Sequence, residues 1–179
     1  MLINIHLPIT SPLLDWALKE NERIVHLGGD GVIFSAGAIP HITLLAGSSR
    51  SAALPSVMEV VRLWSTTVEP QLAAITSIHQ RGRYIMAEVH LSPGLAEERY
   101  RLADNLSALM EFTPRGRPSN GLHLTLGHTG QAASAIGVLG SPPVGPPPAV
   151  LESVQLSGVG AHGTCVDAFW SVRLDSSLG

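Results

Sequence analysis

The chain has 179 residues, 45% of them apolar and 14% charged, with a single cysteine and a formal net charge of −3. These proportions predict one folded domain over residues 1–179, able to bury a core without disulfides or structural metal, and they exclude a disordered chain. The slight acidic excess excludes a general attraction to long duplex nucleic acid, whose phosphates are held by clustered Lys and Arg, so small ligands are the expected partners.

Ile3, Ile5 and Leu7 alternate with Asn4 and His6, the period-two pattern of a half-buried strand that Pro8 ends. A helix is predicted over Pro12 to Ile24, capped by Ser11 with proline in the first turn. Gly28-Gly29-Asp30-Gly31 then makes a loop before the apolar run Val32-Ile33-Phe34, and it lacks the Lys-Ser/Thr ending of a phosphate loop. After Pro40 the segment His41 to Leu45 is extended. A helix follows over Leu54 to Val68, with Leu54, Val57, Met58, Val61, Trp64 and Val68 on one face. Ala74 to Gln80 and Tyr84 to Leu91 form a hairpin around Arg81-Gly82-Arg83. The next helix starts at Ser92-Pro93 and runs through Leu95, Leu102, Leu106 and Leu109 until Phe112-Thr113-Pro114 stops it.

A loop over Pro114 to Gly121 carries Arg115 and Arg117, and Leu122 to Leu126 is a short alternating strand. Gln131 to Leu139 reads as a weak helix, and the proline-rich Ser141 to Pro148 as an extended connector. Two closing strands, Val150 to Leu156 and Ala168 to Leu174, flank a glycine-rich loop bearing His162. Strands and hairpins dominate, which predicts an α+β fold with antiparallel sheets. No stretch reaches the ~18 unbroken apolar residues of a membrane span, and Met1 to Thr10 lacks the basic start of a signal peptide. A cytoplasmic monomer is therefore expected, with no membrane partner, and Cys165 is expected to be buried and inert.

Two segments echo each other. Pro40-His41-Ile42-Thr43-Leu44-Leu45 and Leu122-His123-Leu124-Thr125-Leu126-Gly127 share a His-aliphatic-Thr-aliphatic core, 82 residues apart. On a strand, side chains alternate faces, so Ile42 and Leu44 enter a core while His41 and Thr43 point together the other way, and His123 and Thr125 do the same. Two such strands facing across a cleft place imidazoles on both sides of one phosphate. A neutral imidazole can deprotonate an attacking water while an imidazolium protonates the departing oxygen, and free histidine titrates near ~6.5, so both forms exist at neutral pH. The threonine hydroxyls can orient the nonbridging oxygens. Zinc is the weaker chemistry here: His41, His123 and His128 offer nitrogen, but no nearby Cys or carboxylate completes a site, so neither metal nor cofactor is expected.

The doubled motif, its spacing, the opening strand into a helix and the closing strand pair together resemble the two-histidine (2H) phosphoesterase superfamily, which includes 2′-5′ RNA ligase-like proteins and cyclic phosphodiesterases. The resemblance spans nearly the whole chain. It implies a bilobal α+β fold in which two pseudo-symmetric antiparallel sheets line a central cleft, with helices on the outer faces. It also implies hydrolysis of a 2′,3′-cyclic, 2′-5′ or related small nucleotide or RNA-terminal phosphodiester, with His41 and His123 as the acid/base pair, His123 the base in cyclic-phosphate hydrolysis, and Thr43 and Thr125 on the phosphate. Arg115, Arg117, Tyr84 and His128 are further candidates for substrate contact. The chain departs from many relatives after the first motif, where Leu45-Ala46-Gly47 replace an aromatic and a basic residue. A nucleotide-binding module without turnover and an RNA-end processing or ligating enzyme are the alternative functions.

Overall fold

A computed structural model describes residues 1–30, 34, 38–119, 121–129, 146 and 148–175. Strand β1 (Leu2–Pro8) leads into α1 (Leu13–His26), followed by two short strands, β2 (Gly29–Asp30) and β3 (Ala38–Ile39). Then come β4 (His41–Ser49), α2 (Leu54–Ser65), the hairpin β5 (Gln71–Arg81) and β6 (Tyr84–His90), α3 (Leu95–Leu106) and β7 (Met110–Phe112). The chain closes with β8 (His123–Thr129), β9 (Ala149–Leu151), β10 (Ser153–Val159) and β11 (Cys165–Arg173). The predicted weak helix over 131–139, most of the proline-rich connector and the run at Val32-Ile33 lie outside the described residues.

All the strand pairs are antiparallel, in the order β3-β11-β10-β1-β4-β8-β6-β5-β9, with β2 added to β8 and β7 to β4. The fold is α+β, as expected. In place of two separate sheets the described strands form one continuous sheet, whose two halves meet where Ile42 of β4 pairs with Leu124 of β8. Both residues are fully buried. Helix α1 packs on β8, α3 packs on β4, and α2 packs against α3 and β11. The apolar faces of β1 (Ile3, Ile5, Leu7) and of the two central strands join Leu13, Ala17, Val57, Val61, Leu102 and Leu106 from the helices in the core. Among the described residues no helix is long and apolar enough to cross a membrane.

Several boundaries differ from the sequence reading. Neither Ser11 nor Ser92 caps its helix through a side chain. Backbone carbonyls do that work, with Leu14 N–H bonded to Thr10 O at 2.9 Å and Leu95 N–H to Ser92 O at 3.0 Å. The leucine period continues through Leu109, but the helix stops at Leu106 because Met110 to Phe112 pair with Ser49 to Gly47 at the end of β4. The strand expected from Val150 to Leu156 breaks at Glu152: Ala149 to Leu151 pair with β5, whereas Ser153 onward pairs with β11 and then with β1. Trp64 is in the core, as its place on the helix face predicts, and its Nε1–H donates to Glu98 O at 3.0 Å.

Candidate active site

The two His-x-Thr segments begin β4 and β8, and the expected alternation holds in both. Ile42, Leu44, Leu124 and Leu126 are fully buried, while His41, Thr43, His123 and Thr125 are half-buried on the opposite face. Just beyond each threonine the register slips by one residue. Ile5 and His6 of β1 pair with Leu45 and Thr43, leaving Leu44 extra, and Ile85 and Met86 of β6 pair with Gly127 and Thr125, leaving Leu126 extra. Each motif therefore ends in a β-bulge on the same leucine. A bulge breaks the ladder and changes the parity of every later side chain. That is why Leu44 and Leu45 are both buried, and why His128 lies on the face of Thr125 rather than that of Leu126.

A bulged carbonyl loses its place in the ladder and needs another donor. In both halves a buried side chain from the packed helix supplies one. Asn21 of α1 donates to Leu126 O at 2.7 Å, and Arg99 of α3 donates to Leu44 O through Nη2 at 3.0 Å and Nε at 3.3 Å. Burial pushes the Arg99 guanidinium down to about 10, so it remains charged at neutral pH. Asn21→Ala is expected to destabilise the protein by about 1–3 kcal/mol, the cost of leaving a buried acceptor unmade. Urea unfolding checks this, and a loss no larger than that of the exposed neighbour variant Glu22→Ala would contradict it.

The motif residues share one cleft of about 450 Å³, which Asn4, Tyr84, Arg81, Arg115 and His162 also line. Among the described residues the lining includes three histidines and two arginines and no carboxylate. Arg115 comes to the cleft on a loop stapled to β4: Thr113 N–H donates to Ala46 O at 2.9 Å, and Ala46 N–H donates to Gly116 O at 3.2 Å. The approach requires glycine at 116, because a Cβ there would stand 2.1 Å from Ala46 O. The Arg115 guanidinium carbon lies 5.7 Å from the Tyr84 ring centroid, a cation–π distance.

Of the other expected contacts, His128 is buried, its ring centroid 5.2 Å from Tyr84 and 4.8 Å from His162. It packs against two residues of the lining, Tyr84 and His162. Arg117 follows Gly116 on the same loop and is not among the residues lining this cleft. His162 reaches the cleft from a short 3₁₀ turn over Ala161–Gly163, with φ of 59°.

The sequence reading missed Asn4. Its alternation with Ile3 and Ile5 placed it on the polar face, and the β1–β4 pairing makes that face the cleft floor beneath the first motif. Asn4 is 3% exposed and reaches both Thr43 Oγ1, at 3.1 Å, and His41 Nε2, at 3.3 Å. His6, also fully buried, lies 5.1 Å from the His41 ring, with Nδ1 3.5 Å from Ser157 Oγ and 3.5 Å from Cys165 Sγ. Burial first, and then the neighbouring His41, push the His6 imidazole down to about 3, so it stays neutral. Burial also pushes the Cys165 thiol up to about 12.

His123 Nδ1 stands 3.4 Å from Gly121 O. A carbonyl can only accept, so Nδ1 carries the proton and the neutral ring keeps its lone pair on Nε2. Burial lowers the His123 pKa from its ordinary value, and the positive potential of His79, Arg81 and Arg99 lowers it further against the opposing bond to Gly121. Among the described residues no three His, Cys, Asp or Glu side chains stand together as metal ligands.

No family model and no curated protein matches the sequence. Solved structures do match. The chain is similar to TT0787 of Thermus thermophilus, with 15% identity over 99% of this chain and 100% of that one and a TM-score of 0.69. It is similar to E. coli LigT complexed with phosphate, at 16% identity over 97% and 96% of the two chains and a TM-score of 0.56. The MHV ns2 PDE domain is similar over 76% of this chain and 83% of that one, at 16% identity and a TM-score of 0.55. At such identities the likeness establishes a shared fold.

Proposed function

We propose that this chain is a metal-independent phosphodiesterase that hydrolyses a 2′,3′-cyclic, 2′-5′-linked or related small nucleotide phosphodiester. The observation that carries the reading is the pair of equivalent His-x-Thr strands joined at Ile42 and Leu124 and facing one cleft whose described lining holds cations and no carboxylate. Such a lining concentrates an anion in a protein whose net charge is negative. The fold is shared with structures described as a PDE domain and as LigT, the latter crystallised with phosphate, 3′-AMP and ATP.

In this reading His123 Nε2, held as a lone pair by the Nδ1 contact to Gly121, takes the proton of the attacking water. His41, protonated, gives its proton to the departing sugar oxygen, and the cleaved P–O bond is replaced by the new bond to water. The hydroxyls of Thr43 and Thr125 donate to the nonbridging oxygens. Tyr84 beneath Arg115 makes a shelf for a base or a second phosphate, with His128 bracing the ring from behind and Arg117 drawing anions toward the loop.

The test is incubation with 2′,3′-cyclic nucleotides, 2′-5′ oligoadenylates and cyclic dinucleotides in excess EDTA, with products identified by mass spectrometry. Turnover of at least one is expected. None turned over, or turnover abolished by chelation and restored by a metal, would overturn the reading. The pH profile checks the proton roles. Because burial lowers the pKa of the base, kcat/KM is expected to rise along an acid limb whose midpoint lies below the ordinary imidazole value, then to fall as His41 loses its proton. Arg81→Gln removes a positive neighbour and should move the acid limb upward. A profile climbing steadily to high pH would exclude a histidine acid.

A further inference from the structure

His41 and His123 hold equivalent places in the two halves, yet their immediate neighbours differ in chemistry. Across β1 and β4, Asn4 stands opposite Ala46 and His6 opposite Thr43, whereas across β6 and β8, Tyr84 stands opposite His128 and Met86 opposite Thr125. The position that Asn4 takes beside the first motif is thus taken by Tyr84 beside the second. That exchange sets an amide beside the first histidine and a phenol ring on the corresponding strand of the other half.

Asn4 presents Nδ2 to both Thr43 Oγ1 and His41 Nε2. In that orientation His41 Nε2 must accept, which requires a neutral ring, and Asn4 Oδ1 is left buried with no hydrogen-bond partner. An orphaned buried carbonyl oxygen in a folded protein calls for an explanation. Turning the amide end for end supplies one, since the two orientations have the same shape. Oδ1 then accepts from the Nε2–H of a protonated His41 and from the Thr43 hydroxyl.

We propose that Asn4 is a positioning residue that distinguishes the two histidines: with its amide oxygen turned to His41, it accepts from the Nε2–H of the ring and holds the protonated form. The proposal rests on the reading of His41 as the proton donor. An amide oxygen on Nε2–H favours the imidazolium, which keeps His41 charged at a pH where His123 is already neutral. Among the described residues, His6 beside His41 and Cys165 beside His6 carry no charge near neutral pH. The groups across the cleft that do or can carry one are His123 on β8, His162 on its turn, Arg81 and Arg115. Those described groups lie in both halves, whereas Asn4 stands against His41 Nε2.

The test is titration of His41 by NMR in the full chain labelled with ¹³C,¹⁵N-histidine, in wild type, Asn4→Leu, Asn4→Ala and Asn4→Asp, alongside kcat/KM profiles on the best phosphodiester. Leu and Ala should each lower the His41 midpoint by about one pH unit, and Asp should raise it by a similar amount, the shift expected on losing or strengthening one charge-assisted bond. The alkaline limb of kcat/KM should follow, with the acid limb in place. A His41 midpoint unmoved in Asn4→Asp and in either truncation would overturn the proposal, and Asn4→Asp, being isosteric, keeps the test open if a truncation does not fold. The NMR titration reads His41 without substrate. Absence of turnover on every phosphodiester would therefore sink the functional reading alone, whereas an active enzyme with an unmoved His41 would sink this inference alone.

Discussion

His41→Ala and His123→Ala are each expected to lower turnover by on the order of 10²–10⁴ with the fold intact, the usual loss when one positioned acid or base is removed. Both side chains lie half-buried on the cleft face of their strands, while the residues that fix those strands, Ile42 and Leu124, are untouched by either change. The double variant should lose little more than the worse single one, because an acid and a base that act in one proton relay do not contribute additively. Thr43→Ala and Thr125→Ala should cost less than either histidine. An aryl phosphodiester, whose leaving group departs without a proton, separates the roles: it should restore much of the activity of His41→Ala and little of that of His123→Ala. Steady-state kinetics on purified, folded variants decides this. Near wild-type turnover in both histidine variants would remove them from the chemistry, and equal rescue of both would erase the assignment of acid and base.

The second large effect is expected at the seam between the halves. Ile42 and Leu124 pair there, and each is fully buried. Leu124→Ala or Ile42→Ala should destabilise the protein by about 2–5 kcal/mol, the range for truncating a fully buried aliphatic side chain. For a domain of this size that corresponds to a fall in Tm of roughly 5–15 °C. The same change should lower kcat in the fraction that remains folded, because His41 and His123 are each one residue from the seam and their separation depends on it. Leu102→Ala on α3 is the control: also fully buried, it should cost similar stability and leave kcat near wild type. Thermal melts and kinetics on the three variants check this, and equal kcat in all three would show that the seam does not set the geometry of the cleft.

The motifs were legible because their information is local. The two-residue period of a strand ties His41 to Thr43 and His123 to Thr125 on one face, and it ties Ile42, Leu44, Leu124 and Leu126 to the other, whatever the strands pair with. The amphipathic period of α2 likewise placed Val57, Val61 and Trp64 in the core. The helix over 95–109 was over-extended for the opposite reason: its leucine spacing was as good at Leu109 as at Leu106, and only the ladder available from β4 draws Met110 into a strand.

By itself the sequence determined the strand faces, the doubled His-x-Thr unit, the α+β class and a composition suited to small ligands. The tertiary structure alone decided the rest. It set the bulges at Leu44 and Leu126 that turn His128 to the face of Thr125, the break at Glu152 that divides one expected strand between the two halves, and the pairing that makes Asn4 the neighbour of His41. The physical reason is common to all three. A strand's own period fixes which of its side chains point together, but the partner strand and the register of pairing come from residues far away in the chain, and a slip of one residue reverses every face beyond it.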